Sequence, residues 1–150
     1  MSGTSSEMLQ EVTTSEEATI ELACRFAEEV SLSGILTLSG ELGAGKTRFA
    51  RGIVRAMGGS ERAVSSPTYA IVNEYDSAQG TIGHMDAYRL SGEDELETVG
   101  WDELLERCAV VLIEWGERIE SALDMPRYDV RIDHVSEHER RITITRIEGL

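Results

Sequence analysis

The sequence predicts a single-domain α/β fold, with a mixed, mostly parallel sheet flanked by α-helices and closed by an antiparallel hairpin. Three observations carry that expectation. An apolar strand, a glycine-rich turn and an amphipathic helix follow one another between residues 35 and 57. The continuous apolar run Ala109-Val110-Val111-Leu112-Ile113 has the pattern of a strand buried on both faces. Residues 129–135 and 140–147 alternate apolar and polar side chains around residues 136–139, the pattern of a hairpin with one solvated face.

The elements follow in order. Residues 1–14 are polar, with neither a basic start nor an apolar run, so they do not read as a signal peptide, and residues 1–9 are expected to be flexible. Thr14 and Glu17 have capping-box spacing, and Leu22, Ala23, Phe26, Ala27 and Val30 then recur at helical intervals, predicting a helix over 15–30. Gly34 breaks it, and a short strand over 35–38 runs into the turn 39–45. The next helix, 46–57, buries Phe49, Ile53, Val54 and Met57 and stops at Gly58-Gly59. Strands are expected over 69–75 and 81–86, joined by a turn at 76–80. Leu96, Val99, Leu104 and Leu105 give the acidic segment 93–107 a helical period, and a strand over 108–115 follows.

The 150-residue chain is expected to form one domain over 1–150. Its longest apolar run is far too short to span a bilayer, so a cytoplasmic location and no membrane partner are expected. Cys24 and Cys108 read as reduced core thiols, and His84, His134 and His138 are scattered. The net charge of -14 disfavours unaided binding to nucleic acid. Lys46 is the only lysine, against thirteen arginines. Arg48, Arg51 and Arg55 share much of one helix face, an expected contact for an acidic partner surface or for a tRNA-bearing assembly.

The glycine-rich turn reads Gly40-Glu41-Leu42-Gly43-Ala44-Gly45-Lys46-Thr47, the P-loop pattern G-x-x-x-x-G-K-[ST]. Its glycines let the backbone turn where side chains would collide with a ligand, and its amides form an anion nest at a helix N-terminus. Lys46 is placed to meet the β- and γ-phosphates of ATP, and the Thr47 hydroxyl to take one position on Mg²⁺. Arg48 follows at once on the same helix. The run ending in Glu114 has the form of a Walker B strand, which makes Glu114 the metal-side acid. Asp86, closing the strand 81–86, is a rival or complementary acid, able to hold a metal-bound water or to orient the attacking water. Ser65-Ser66-Pro67-Thr68 has the character of a switch segment in which Thr68 would sense Mg²⁺ or the γ-phosphate, and Arg89 is a candidate for stabilising transition-state charge. An Asn-Lys-x-Asp guanine-reading motif is impossible with a single lysine.

Four motifs in order make the chain resemble the TsaE (YjeE) family: the P-loop, Ser66-Pro67-Thr68-Tyr69, His84-Met85-Asp86-Ala87-Tyr88-Arg89-Leu90 and Ile113-Glu114-Trp115. The resemblance extends over residues 15–147, with Glu16-Glu17-Ala18-Thr19 at its start and a hairpin bearing Arg141 near its end. It implies a P-loop NTPase fold, slow ATP hydrolysis, and support for turnover of the TsaB–TsaD pair that modifies an adenosine beside the anticodon. Under it Thr47 and Glu114 match the Mg²⁺ positions, Asp86 the acid needed for hydrolysis, and Trp115 a tryptophan near the nucleotide. Glu16 falls near an N-terminal nucleotide contact. With Lys46, Asp86 and Glu114 as the catalytic set, the expected contacts of ATP are Glu16, Gly40 through Thr47, Arg48 and Trp115. Contact with tRNA is expected only through the partner pair, and none with DNA. Gly116-Glu117-Arg118 departs from members that carry proline there. Two other readings of the same loop are a small kinase with an unidentified acceptor and a nucleotide-dependent switch without significant hydrolysis. The acidic segment 93–107, with Arg107 its only arginine, disfavours a phosphate-bearing acceptor.

Overall fold

The computed structural model describes residues 5–41, 44–65, 72–90, 96–97 and 100–149. Strand β1 (Ser5–Thr13) leads into helix α1 (Glu16–Val30), strand β2 (Gly34–Gly40) and helix α2 (Lys46–Ala56). Strands β3 (Val72–Tyr75) and β4 (Thr81–Asp86), helix α3 (Trp101–Arg107) and strand β5 (Cys108–Glu114) follow. Strands β6 (Arg127–His134) and β7 (Arg140–Ile147) close the chain as an antiparallel hairpin. The described strands make one sheet in the order β1-β7-β6-β2-β5-β4-β3. Its centre, β6-β2-β5-β4, is parallel, and antiparallel strands flank it on both sides. The mixed sheet with a parallel core is the fold class read from the sequence.

Two layers of side chains explain why the sheet is buried where it is. On one face Leu36, Leu38, Val110, Leu112, Val130 and Ile132 pack against α1 and α2. On the other, Ile35, Met85, Val111 and Ile113 pack against Trp101 and Leu104 of α3 and against Ile119 and Leu123. Phe49, Ile53 and Val54 of α2 are fully buried, and each contributes roughly 2 kcal/mol by leaving water. Gly52 lets α2 approach α1 closely: a Cβ there would fall 2.3 Å from the Ile20 carbonyl oxygen.

Four differences from the sequence reading have physical causes. The segment expected to fray up to about Leu9 is strand β1 from Ser5 onward, paired with β7 in an antiparallel ladder from Ser5↔Ile147 to Thr13↔Arg140. Its side chains are almost all exposed, so it carries no apolar alternation, and backbone pairing holds it. The cap of α1 is Ser15, whose hydroxyl accepts the Ala18 amide at 3.0 Å, one residue later than the Thr14 capping box. The helix expected over 93–107 is helical at Trp101–Arg107, where Gly100 in the left-handed region starts it; residues 93–95 and 98–99 lie outside the described residues. The basic face of α2 is engaged within the chain: Arg48 pairs with Glu16 at 2.9 Å, and Arg55 with Glu61 at 2.9 Å and Glu17 at 3.1 Å. Glu61 and then Glu17 hold the Arg55 guanidinium above its ordinary range. Arg48 and Arg55 therefore do not present the open basic face expected for a partner.

Cys24 and Cys108 carry free thiols. Among the described residues no helix is long and apolar enough to cross a membrane.

Candidate functional site

The parallel centre of the sheet brings the C-terminal ends of β2, β4 and β5 to one edge, the place where open α/β sheets bind ligands. In register, Leu38 pairs with Glu114, and Asp86 pairs with Glu114 from the other side. Alternation then decides which side chains meet. Ile82 of β4 and Val110 and Leu112 of β5 lie in the layer under α1 and α2, so His84, Asp86 and Glu114 share that face.

Gly40 ends β2 with φ of 150°, and a Cβ there would fall 2.5 Å from the Ile132 carbonyl oxygen, so only glycine fits the turn. The Ala44 amide donates to the Glu41 carbonyl at 2.9 Å, and Gly45 stands at the N-terminus of α2. Lys46 then reaches back across the loop, its Nζ donating to the Gly40 carbonyl at 2.9 Å. The same ammonium stands 3.8 Å from Glu114 Oε1 and 5.1 Å from the centroid of the Trp115 ring. Glu114 is a buried carboxylate, only 5% exposed. Trp115 follows it in the left-handed region (φ 61°), which swings the indole out to a half-exposed position beside Tyr88, 5.0 Å between ring centroids. Asp86 accepts the Tyr88 amide at 2.9 Å, so it caps the short 3-10 turn Ala87–Arg89 while standing next to Glu114.

Gly40, Glu41, Ala44, Gly45, Lys46 and Thr47 thus gather at the edge with Asp86, Glu114 and Trp115, as the sequence grouped them. Glu16 and Arg48 meet each other a short way off, on the rim of a cavity of about 230 Å³ that Ala44, Gly45, His138 and Arg140 also line. Leu42, Gly43 and Ser66-Pro67-Thr68-Tyr69 lie outside the described residues, as does the Arg89 side chain. A larger hollow of about 340 Å³, lined by Thr37, Ser39, Asp129, Arg127 and Arg131 among others, shares none of the described residues of Gly40–Thr47. The Thr37 hydroxyl already donates to Asp129 there at 2.7 Å.

Three participants were not singled out from the sequence. His84, completely buried, places Nε2 2.7 Å from Glu114 Oε2 and Nδ1 2.9 Å from the Tyr75 hydroxyl. A carboxylate oxygen only accepts, so in this contact His84 Nε2 is the donor to Glu114. The Tyr75 hydroxyl also lies 3.0 Å from the Ser65 carbonyl, and burial pushes its phenol up and keeps it protonated. The third is Arg140, whose Nε donates to the Ala44 carbonyl at 3.1 Å while Nη1 donates to the Ser136, Glu137 and Glu139 carbonyls. Arg140, not its neighbour Arg141, ties the hairpin turn to the loop. Period-two alternation along β4 was the available signal for His84, since it shares the face of Asp86. The contact of Arg140 had no signal, because it spans 96 positions in sequence.

The strand, glycine-rich loop and helix, set in this mixed sheet with an acid at the end of β4 and another at the end of β5, define an α/β protein with a parallel central sheet. The family model for "Threonylcarbamoyl adenosine biosynthesis protein TsaE" matches residues 13–142. A Bacillus subtilis protein named tRNA threonylcarbamoyladenosine biosynthesis protein TsaE is 42% identical over 113 residues, 75% of this chain and 70% of its own length. A Rickettsia conorii protein of the same name is 35% identical over 130 residues, 87% of this chain and 74% of its own. The crystal structure of Bacillus subtilis YdiB superposes with a TM-score of 0.74 at 31% identity, covering 97% of this chain and 89% of that one. The chain belongs to the TsaE family.

Proposed function

We propose that this protein binds Mg-ATP at the loop Gly40–Thr47, hydrolyses it slowly, and acts in tRNA threonylcarbamoyladenosine biosynthesis by supporting turnover of the TsaB–TsaD pair in the cytoplasm. The observation that carries the reading is the convergence of Lys46, Glu114 and Asp86 at the ends of β2, β5 and β4. A single ammonium 3.8 Å from a buried carboxylate, at a helix N-terminus lined with backbone amides, suits a polyphosphate and its counter-cation.

The donor set fits Mg²⁺. Among the described residues no three His, Cys, Asp or Glu side chains gather as a cage, and Mg²⁺ is usually held by one or two protein oxygens together with substrate phosphates. Thr47 and Glu114 would hold it, and when bound it neutralises charge on the phosphate oxygens. Lys46 bears on the β- and γ-phosphates, and the loop amides fix their position. Asp86, beside Glu114 and tied to the Tyr88 amide, is placed to orient the attacking water. Glu16, Arg48 and the cavity they rim accommodate the nucleoside end, and Trp115 shields the phosphate end. The net charge of -14 supports reaching tRNA through the partners.

The test is Mg-ATP hydrolysis by the purified protein, alone and with the TsaB–TsaD pair, with Lys46→Ala as control. Slow turnover, raised by the pair and abolished in the control, is the expected result. Turnover indifferent to the pair would favour a kinase, and ATP binding without turnover would favour a switch. Unchanged ATP affinity in Lys46→Ala would overturn the site itself.

A further inference from the structure

A continuous line of polar contacts crosses the sheet beneath the loop, from Ser65 through Tyr75 and His84 to Glu114. The Ser65 backbone meets the Tyr75 hydroxyl through its carbonyl (3.0 Å) and its amide (3.4 Å), and the Asn73 amide donates to the same carbonyl at 3.3 Å. Tyr75 meets His84 Nδ1 at 2.9 Å, and His84 Nε2 meets Glu114 at 2.7 Å. These groups come from three neighbouring strands, β3, β4 and β5, with their side chains on one face. We infer that His84 is a positioning residue that holds Glu114 in place and, through Tyr75, couples that carboxylate to Ser65, the residue before Ser66-Pro67-Thr68.

The physical case starts from Glu114. A buried carboxylate 3.8 Å from an ammonium is drawn toward it, and a direct Lys46–Glu114 pair would take the ammonium from the phosphates and a carboxylate oxygen from the metal. The short bond from His84 pulls on the opposite oxygen and resists that collapse. His84 is itself fixed, since it is fully buried and its other nitrogen is engaged by Tyr75. Outer hydrogen bonds of this kind orient a ligating carboxylate and tune its affinity. The Tyr75 hydroxyl has one proton for two acceptors, Ser65 O and His84 Nδ1, so any change at the Glu114 end redistributes its bonding at the Ser65 end.

The inference rests on reading Glu114 as the Mg²⁺ carboxylate, and its test separates the two. Binding of a non-hydrolysable ATP analogue is titrated against Mg²⁺ by calorimetry, and exchange of the Ser65 amide is followed with and without Mg²⁺ and analogue. The variants are His84→Asn, whose amide reaches the Nδ1 position, His84→Gln, whose amide reaches the Nε2 position, and Tyr75→Phe. His84→Asn should raise the Mg²⁺ midpoint about tenfold, and His84→Gln should restore it to within about twofold of the parent. In the parent the Ser65 amide should exchange several-fold more slowly once Mg²⁺ and analogue bind; in Tyr75→Phe its rate should not respond. A folded His84→Asn with the parental midpoint, or a Tyr75→Phe whose Ser65 amide still responds, overturns the inference and leaves the nucleotide site standing. A parent that does not bind the analogue with Mg²⁺ overturns both. Should the His84 variants fail to fold, Tyr75→Phe decides the coupling alone.

Discussion

Replacing Gly52 with alanine adds one methyl group where α1 and α2 touch. A Cβ at this position falls 2.3 Å from the Ile20 carbonyl oxygen, 2.5 Å from the Ala23 Cβ and 3.0 Å from the Cys24 amide nitrogen. Carbon–carbon contacts are favourable near roughly 3.5–4.0 Å, so the two helices must separate by on the order of 1 Å. Two of the three obstructing atoms are backbone, which no rotamer change can move aside. Overpacking costs about 1–3 kcal/mol, and this geometry belongs at the upper end. The better helix propensity of alanine offsets about 1 kcal/mol. The net loss is then about 2 kcal/mol, or about 4–8 °C in the unfolding midpoint of a domain this size. Because α2 begins at Lys46, the displacement also reaches the loop, and ATP hydrolysis should fall by on the order of tenfold or more. Urea and thermal unfolding, read beside an ATP titration, provide the assay. Gly34→Ala is the control: its φ of 84° strains alanine, but no atom lies within 4 Å, so it should lose stability and keep nucleotide affinity. A Gly52→Ala protein as stable as its parent would refute the close approach and the reasoning built on it.

Arg140→Ala should weaken ATP binding several-fold while costing about 1 kcal/mol of stability, because it releases the Ala44 carbonyl and three carbonyls of the hairpin turn; parallel ATP titration and urea unfolding measure both, and unchanged affinity would remove Arg140 from the support of the loop. Alkaline pH should destabilise the protein. Burial holds the Cys24 and Cys108 thiols and the Tyr75 phenol above their ordinary values, so the unfolded chain loses these protons first. Stability that is fully present at neutral pH is therefore lost as pH rises from about 9 through the raised native values. Urea midpoints at pH 8 and pH 10.5 check the sign, and Cys108→Ala should flatten the slope.

What could be read from the chain follows from how local each signal is. The loop Gly40–Thr47, strand β4 and the hairpin β6–β7 are written in runs of a few residues, so spacing and alternation sufficed to place them. Glu114 was legible for the same reason, as the acid ending an apolar run. Strand β1 was not, because Ser5 through Val12 face solvent almost throughout and their partner is the last strand. The cap of α1 was off by one because Thr14 and Ser15 are both good caps, and only the backbone path into the helix chooses between them. The basic face of α2 looked open because the acids that cover it, Glu16, Glu17 and Glu61, come from two other segments. His84 looked like one of three scattered histidines because its partners, Tyr75 and Glu114, stand 9 and 30 positions away.

The pairing of β1 with β7 also sets an order of events on the ribosome. Strand β2 finds its first neighbour, β5, across about half the chain, but Ser5 meets Ile147 across nearly the whole of it. At about 5–20 residues per second, the first strand emerges on the order of ten seconds before the last. Late in that interval β2, β4 and β5 can assemble around α1 and α2 while β1 waits as an unpaired ribbon. Its glutamates and serines then acquire a purpose unrelated to the finished sheet: they keep the waiting strand soluble and give a neighbouring nascent chain little to adhere to.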